Sequence, residues 1–161
     1  MADSDGAGWR PGVRLCLDWG KARVGVAACD REGLLAYPVE TVPNDDRVFD
    51  RVAELVDEHR PIELVLGLPT DLRGRAGPAA RAMFVVAGTL IERVALPVRL
   101  VDERMTTAVA GRDLAAAGQS GRGRRAVIDQ AAAVAILQQA LDMERRTGTP
   151  AGRLAPSGEE T

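Results

Sequence analysis

Three acidic residues, Asp18, Glu103 and Asp129, stand where a carboxylate could take part in catalysis. Asp18 ends a β-prone run, Glu103 follows another, and Asp129 lies in the first turn of a predicted alanine-rich helix. A carboxylate at the end of a central strand is costly to desolvate unless it binds a cation or accepts several hydrogen bonds. Each acid also has a simpler explanation: a turn cap for Asp18, an exposed loop acid for Glu103 and a helix-dipole partner for Asp129. Together they indicate one shared site at an end of a sheet.

Three acidic residues at one site predict that the site binds divalent metal ions. Three converging carboxylates repel one another, so they stay ionised together only with cations between them, and Mg²⁺ or Mn²⁺ is the hard ion that prefers oxygen ligands. Two such ions about 4 Å apart activate a water and stabilise the leaving oxygen of a phosphodiester. Zinc is disfavoured, because the single histidine and two separated cysteines form no ligand set.

Basic residues surround the predicted site, although any one of them is equally compatible with an ordinary solvated surface. Loop 70–76 precedes a helix start at Pro78, whose N–H groups suit phosphate. The segment QSGRGRR is predicted to be a flexible basic linker before the helix that carries Asp129. Trp19 is compatible with stacking on a base and equally with packing under a turn. The candidate nucleic-acid contacts are Lys21, Arg23, Arg73, Arg75, Arg104, Arg122, Arg124 and Arg125.

The elements that must position these residues follow the order β-β-β-α-β-α-β-α-α. The first two strands form a hairpin around Gly20, which is predicted to adopt φ > 0, and Pro38 confines the third strand to an edge. The remaining predictions are a helix from Asn44 or Asp45 to Pro61, a buried strand before Pro69, a helix from Pro78, a strand Val98 to Val101, a helix from Thr106 or Thr107 to Ala117, and a last helix Ala126 to Arg146. This order predicts an α/β, RNase H-like fold: a mixed five-stranded sheet with helices on its faces. The first and last strands are expected to lie side by side and bring the acids together.

The whole chain is predicted to form one domain. Its 161 residues divide into a disordered stretch 1–12, a nuclease-like domain 13–146 and a disordered tail 147–161. The formal net charge of −2 argues against a surface coated with positive charge, so nucleic-acid contact must use a local patch. Cys16 is expected to face Gly25, which leaves Cys29 too distant for a disulfide, and reduced thiols suit the cytoplasm. No signal-peptide or membrane-spanning pattern is predicted.

Four segments carry a resemblance to a known family: LDWGKARVGVA, VLGLPTDLRGRAGP, VDERMTT and IDQAAAVAILQ. In this order they resemble the YqgF/RuvX family, the pre-16S rRNA nucleases, also called Holliday junction resolvase-like proteins. The resemblance runs from about Arg14 to Leu141. It implies an RNase H-like fold, Mg²⁺ or Mn²⁺, and Asp18, Glu103 and Asp129 as the acidic catalytic triad.

The sequence also departs from that family at two places. Ala22 precedes Arg23 where the family usually has a basic pair, and Thr70-Asp71 replaces part of a small polar run. These changes affect substrate contacts rather than the triad.

Several functions fit these observations. The favoured hypothesis is a metal-dependent endonuclease, a hydrolase acting on structured RNA at the 5′ end of precursor 16S rRNA during ribosome biogenesis. The first alternative is a Holliday junction resolvase acting on branched four-way DNA. A non-catalytic ribosome-assembly factor would gain nothing from three carboxylates near phosphate, and a sugar kinase or actin-like ATPase would need two such domains. A monomer is favoured over a homodimer, since covering one sheet uses the apolar faces of the helices.

Overall fold

The computed structural model describes residues 10–69, 77–102 and 121–156. Within them, a six-stranded sheet has the strand order β3-β2-β1-β4-β5-β6. The elements are β1 Arg14–Trp19, β2 Arg23–Cys29, β3 Ala36–Pro43, α1 Val48–His59, β4 Glu63–Leu68, α2 Pro78–Val94, β5 Val98–Asp102, α3 Gly121–Thr147 and β6 Arg153–Leu154. The predicted mixed α/β sheet is confirmed, with one more strand than expected. The predicted helix from Thr106 or Thr107 to Ala117 and loop 70–76 lie outside the described residues.

The sheet combines an antiparallel half with a parallel half. β1, β2 and β3 form an antiparallel meander, whereas β1, β4 and β5 run parallel to one another. Parallel strands need crossover connections, and α1 joins β3 to β4 while α2 joins β4 to β5. The carboxyl ends of β1, β4 and β5 therefore lie at the same edge of the sheet.

Side-chain alternation divides the core into two layers. Leu15 and Leu17 of β1 pack in the layer under α1 and α2, and the intervening Cys16 packs in the layer under α3. Four residues of α3 are fully buried in that second layer: Ala132, Ala133, Ile136 and Leu137. Two of them are alanines, whose small side chains let a helix approach a sheet closely. Among the described helices, none has the length and apolarity that crossing a bilayer requires.

Buried ion pairs hold the carboxyl-terminal half of α3 against the sheet. The guanidinium of Arg14 on β1 donates to Glu144 of α3 at 3.1 Å, and both side chains are at most 5% exposed. Arg10 donates to the same carboxylate at 2.9 Å and to Glu63 of β4 at 3.1 Å. Arg99 of β5 also pairs with Glu63. This cluster joins β1, β4, β5 and α3 at the edge opposite the carboxyl ends of the parallel strands.

Both ends of the predicted domain differ from the expectation. Arg10 and Gly12 were expected in a disordered stretch, but Arg10 pairs with two glutamates and the Gly12 N–H donates to the Arg31 carbonyl. Arg153–Leu154 was expected in a solvated tail and instead pairs with β5. β5 would otherwise end the sheet with unpaired backbone groups, and two residues suffice to satisfy some of them.

Two expectations about the position of the acids are wrong. β1 and β5 are not neighbours, because β4 lies between them in the parallel half of the sheet. α3 begins at Gly121 rather than Ala126, so the predicted flexible linker is helical from that residue onwards. Asp129 is consequently more than two turns inside the helix, where a partial charge at the helix end has little effect.

The hairpin register also differs from the expectation. Cys16 lies opposite Ala27, not Gly25, because the turn is closed by a 2.9 Å hydrogen bond from the Gly20 N–H to the Arg23 carbonyl. Cys29 is therefore a diagonal neighbour of Cys16, about 7–8 Å away between Cα atoms, which still exceeds the reach of a disulfide. Both cysteines are buried, and neither forms a disulfide.

Candidate active site

Asp18 lies near the end of β1, on the face of the sheet that α3 covers. It follows Cys16 by two residues, so the two side chains share that face. Only 7% of Asp18 is exposed, and its cross-strand partner on β2 is Gly25. A carboxylate is thus nearly buried at the edge where the three parallel strands end.

At Gly25 the backbone of α3 comes very close to the sheet. A Cβ atom at this position would lie 2.1 Å from the carbonyl oxygen of Asp129 and 2.4 Å from its carbonyl carbon. Only glycine leaves room for the helix backbone there. Since residues directly opposite each other in an antiparallel pair lie about 5 Å apart, this contact brings Asp129 close to Asp18.

Arg23 is the ion-pair partner of Asp129. Its Nε donates to Oδ2 of Asp129 at 2.9 Å, and the two side chains are 36% and 20% exposed. Arg23 begins β2, two residues before Gly25, so the hairpin supplies both the contact for the helix backbone and a positive charge for its carboxylate. Sequence reasoning placed Arg23 among the nucleic-acid contacts and did not foresee this pairing.

Lys21 is an exposed residue of the β1–β2 turn, three positions after Asp18 in the chain. Asn44 braces the turn, because its Nδ2 donates to the Gly20 carbonyl at 2.7 Å and its backbone N–H donates to the Ala22 carbonyl at 2.9 Å. The expectation of φ > 0 at Gly20 is wrong. Glycine is needed for a different reason: a Cβ atom would lie 2.7 Å from the Arg23 carbonyl oxygen.

Trp19 packs against α1. Its ring centroid is 5.3 Å from that of Phe49, in a tilted arrangement, and the side chain belongs to the edge of the core under α1 and α2. Of the two interpretations of this residue, packing is the one the structure supports.

Some of the other predicted site residues lie outside the described part of the chain. Glu103 lies outside the described residues and follows Asp102, the last residue of β5, in the sequence. Arg73, Arg75 and Arg104 also lie outside them. Arg122, Arg124 and Arg125 lie on α3, upstream of Asp129 in the chain.

Two carboxylates fit the oxygen chemistry of a divalent cation. Asp18, which is nearly buried, and Asp129, whose backbone lies against the cross-strand partner of Asp18, are both hard, anionic donors. No group of three potential ligands is found among the described residues, so the described part of the site is a pair. The sequence signal for this pair was partial. A glycine inside a strand indicates that another backbone segment packs closely there, but the neighbouring sequence does not indicate which helix that is.

Comparison with known proteins identifies the family of the chain. Residues 12–143 match the sequence profile described as RuvX: Holliday junction resolvase. A protein of Streptomyces coelicolor named "Putative pre-16S rRNA nuclease" is 52% identical over 152 residues, covering 92% of this chain and 91% of its own length. A protein of the same name from Cutibacterium acnes is 53% identical over 135 residues, covering 83% and 84%.

A solved structure confirms the fold. Thermus thermophilus RuvC in complex with a Holliday junction substrate superposes with a TM-score of 0.53 at 17% identity, over 89% of this chain and 99% of that one. The predicted RNase H-like fold class is confirmed by this likeness. Because the profile spans most of the chain and the relatives share about half of their residues with it, the chain belongs to the RuvX family.

Proposed function

We propose that the chain is a metal-dependent endonuclease that hydrolyses phosphodiester bonds in structured RNA, at the 5′ end of precursor 16S rRNA. The observation that carries this proposal is the close approach of Asp129 to Gly25, the cross-strand partner of Asp18, at the edge where the parallel strands end. The names of the close relatives favour precursor rRNA as the substrate. The same names favour a place in ribosome biogenesis and thus in the cytoplasm.

The acidic residues have the first role in the proposed mechanism. Asp18 and Asp129 would hold Mg²⁺ or Mn²⁺, with Glu103 as the third ligand that the sequence indicates. The bound cation supplies Lewis-acid activation of a water and of the leaving oxygen. Asp18, being nearly buried on a strand, fixes its carboxylate more firmly than a loop residue would.

The basic residues have the second role. Arg23 pairs with Asp129, Lys21 lies in the turn of the same β1–β2 hairpin, and each can neutralise a phosphate oxygen. We assign the six remaining candidate arginines to the wider path of the nucleic acid: Arg73, Arg75, Arg104, Arg122, Arg124 and Arg125. A local basic patch of this kind is what a chain of net charge −2 requires to bind RNA.

A direct test compares cleavage of precursor 16S rRNA with cleavage of a four-way DNA junction in the presence of Mg²⁺ or Mn²⁺. The variants are Asp18→Asn, Glu103→Gln and Asp129→Asn. Each should reduce RNA cleavage by more than about a hundredfold, since even groups that only support a metal ligand change activity by about 10–100-fold. Asp142→Asn is the matched control, because Asp142 lies on the same helix as Asp129 with a 52% exposed side chain.

The outcomes separate the competing functions. Cleavage by any acid variant at the wild-type rate would remove that residue from the mechanism. Paired, symmetric incision of four-way DNA without cleavage of precursor rRNA would establish the junction-resolving alternative. Tight RNA binding without any metal-dependent cleavage would establish the non-catalytic assembly factor.

A further inference from the structure

Arg23 pairs with Asp129 at the candidate site and has further N–H groups with which it can bind a phosphate. Its Nε donates to Oδ2 of Asp129 at 2.9 Å. No other hydrogen bond from its guanidinium is found within the described part of the chain, so the N–H groups of both Nη atoms remain available to a further acceptor. The side chain is 36% exposed, so part of it is open to solvent and to a ligand. A guanidinium with an unoccupied pair of N–H groups is a good partner for a phosphate.

The ion pair opposes binding of a divalent cation at Asp129. A cation coordinated by this carboxylate would lie about 5–6 Å from the guanidinium, closer than the Debye length of about 8–10 Å. A doubly charged ion is repelled twice as strongly as a singly charged one at the same distance. The hydrogen bond also orients the carboxylate, which favours binding. Because the repulsion acts at such short range, we expect it to outweigh the orientation.

We propose that Arg23 couples cation binding to phosphate binding. In the free protein it neutralises Asp129 and lowers the affinity of the site for the cation. A phosphate of the nucleic acid accepts hydrogen bonds from the Nη groups, shares the positive charge and thereby favours the cation at Asp18 and Asp129. By linkage, the cation raises the affinity for the phosphate by the same factor. This inference rests on the proposed function, because it needs the acids to bind a metal.

Mn²⁺ titration followed by electron paramagnetic resonance tests the first half of the proposal without requiring cleavage. Arg23→Gln keeps the length of the side chain and removes its charge. It should bind Mn²⁺ about fivefold more tightly than wild type, the factor that corresponds to about 1 kcal/mol for a partly exposed ion pair. Arg23→Lys keeps the charge and should retain the weak wild-type affinity. Arg31→Gln is the matched control: it removes the same charge beyond the far end of β2 and should change the affinity by less than about twofold.

The second half is tested by repeating the titration with a hydrolysis-resistant phosphorothioate RNA. RNA should raise the Mn²⁺ affinity of wild type by a larger factor than that of Arg23→Gln. Equal Mn²⁺ affinities for wild type and Arg23→Gln would make Arg23 a simple surface cation. A lower affinity for the variant would show that orientation of Asp129 dominates. Either result overturns the inference, whereas absence of Mn²⁺ binding by both proteins would overturn the proposed function itself.

Discussion

At the scale of single residues, Gly25 determines whether the two acids meet. Gly25 contributes no charge and no polar side chain. Its role is steric, because it has no Cβ atom at the place where the Asp129 backbone touches the sheet. Asp18 and Asp129 are far apart in the sequence and lie on different elements, so their proximity depends on how deeply α3 sits on β2. The approach of Asp129 to Asp18 therefore depends on a residue that has no side-chain functional group.

Gly25→Ala should push α3 away from the sheet. The added methyl group would lie 2.1 Å from a backbone oxygen, which cannot rotate away as a side chain could. We expect a loss of about 1–3 kcal/mol in the free energy of unfolding, the usual effect of overpacking a core. Mn²⁺ binding should fall as well, because the carboxylates no longer converge. Urea unfolding and Mn²⁺ titration measure the two effects.

Gly88→Ala is the control for this substitution. Gly88 lies inside α2, and a Cβ atom there meets nothing within 4 Å. Replacing it should stabilise the protein by about 0.5–1 kcal/mol, since glycine is a poor residue in a helix interior. If Gly25→Ala behaved in the same way as Gly88→Ala, the close approach of α3 would not be needed to form the site.

At the scale of elements, α3 packs on the sheet from the Gly25 contact, through the buried residues Ala132 to Leu137, to the buried cluster around Glu144. The pKa of Glu144 is lowered: burial alone would raise it, but hydrogen bonds from Arg10 and the charge of Arg14 outweigh the burial. An ionised Glu144 therefore stabilises the fold, and the helix that carries Asp129 is anchored far from the site.

Glu144→Gln should lower the free energy of unfolding by about 3 kcal/mol at neutral pH, because it leaves Arg14 buried without its charged partner. A carboxyl whose pKa is depressed in the folded state contributes stability above its unfolded value of about 4.3. That contribution is lost as the pH falls through the folded value. The difference between wild type and Glu144→Gln should consequently shrink as the pH falls below about 4.

Urea unfolding at a series of pH values measures this effect. The control is Glu54→Gln, which removes a carboxylate of α1 whose side chain is 64% exposed and pairs with Arg51. It should change the free energy of unfolding by less than about 1 kcal/mol, as exposed ion pairs usually do. A Glu144→Gln variant as stable as wild type at pH 7 would show that the cluster does not anchor α3.

The elements also show how far the sequence could predict the fold and the site. Hydrophobic periodicity placed α1 and α2, and a continuous apolar run placed β4, although α1 begins at Val48 rather than at Asn44 or Asp45. The start of α3 was missed, since two glycines in GRGRR disfavour a helix locally. β6 was also missed, because a strand of two residues forms only by pairing with β5 and is too short to show an apolar pattern in the sequence. The pairing of Asp129 with Arg23 depends on tertiary packing, which no local signal contains.

At the scale of the whole molecule, the two outermost strands of the sheet, β3 and β6, decide whether a second chain can pair with it. On the β3 edge, Pro38 has no N–H to offer. The Gln138 side chain accepts a hydrogen bond from the Ala36 N–H and donates one to the Leu34 carbonyl, both at 2.9 Å. On the other edge, β6 has only two residues. Among the described residues, the β3 edge is therefore blocked at Ala36 and Pro38, and the opposite edge is a strand of two residues.

We therefore predict that the protein is a monomer and acts on RNA without a symmetric dimer. Sedimentation velocity at micromolar concentration should give a single species near the 17.1 kDa of the chain. The result should not depend on reductant, because Cys16 and Cys29 are both buried and cannot form a disulfide between folded chains. Gln138→Ala should increase self-association by exposing the β3 edge, and Gln139→Ala, its neighbour on α3, serves as the control.

This prediction bears directly on the choice between RNA and four-way DNA. Resolution of a four-way junction requires two matched cuts, which a two-fold dimer supplies by presenting two active sites. A monomer has one pair of Asp18 and Asp129 and makes one cut per encounter, as trimming a precursor RNA requires. A stable wild-type dimer that makes paired incisions in a junction would contradict both the monomer and the RNA-processing function. Monomeric behaviour together with single cuts in precursor rRNA would agree with the protected edges of the sheet.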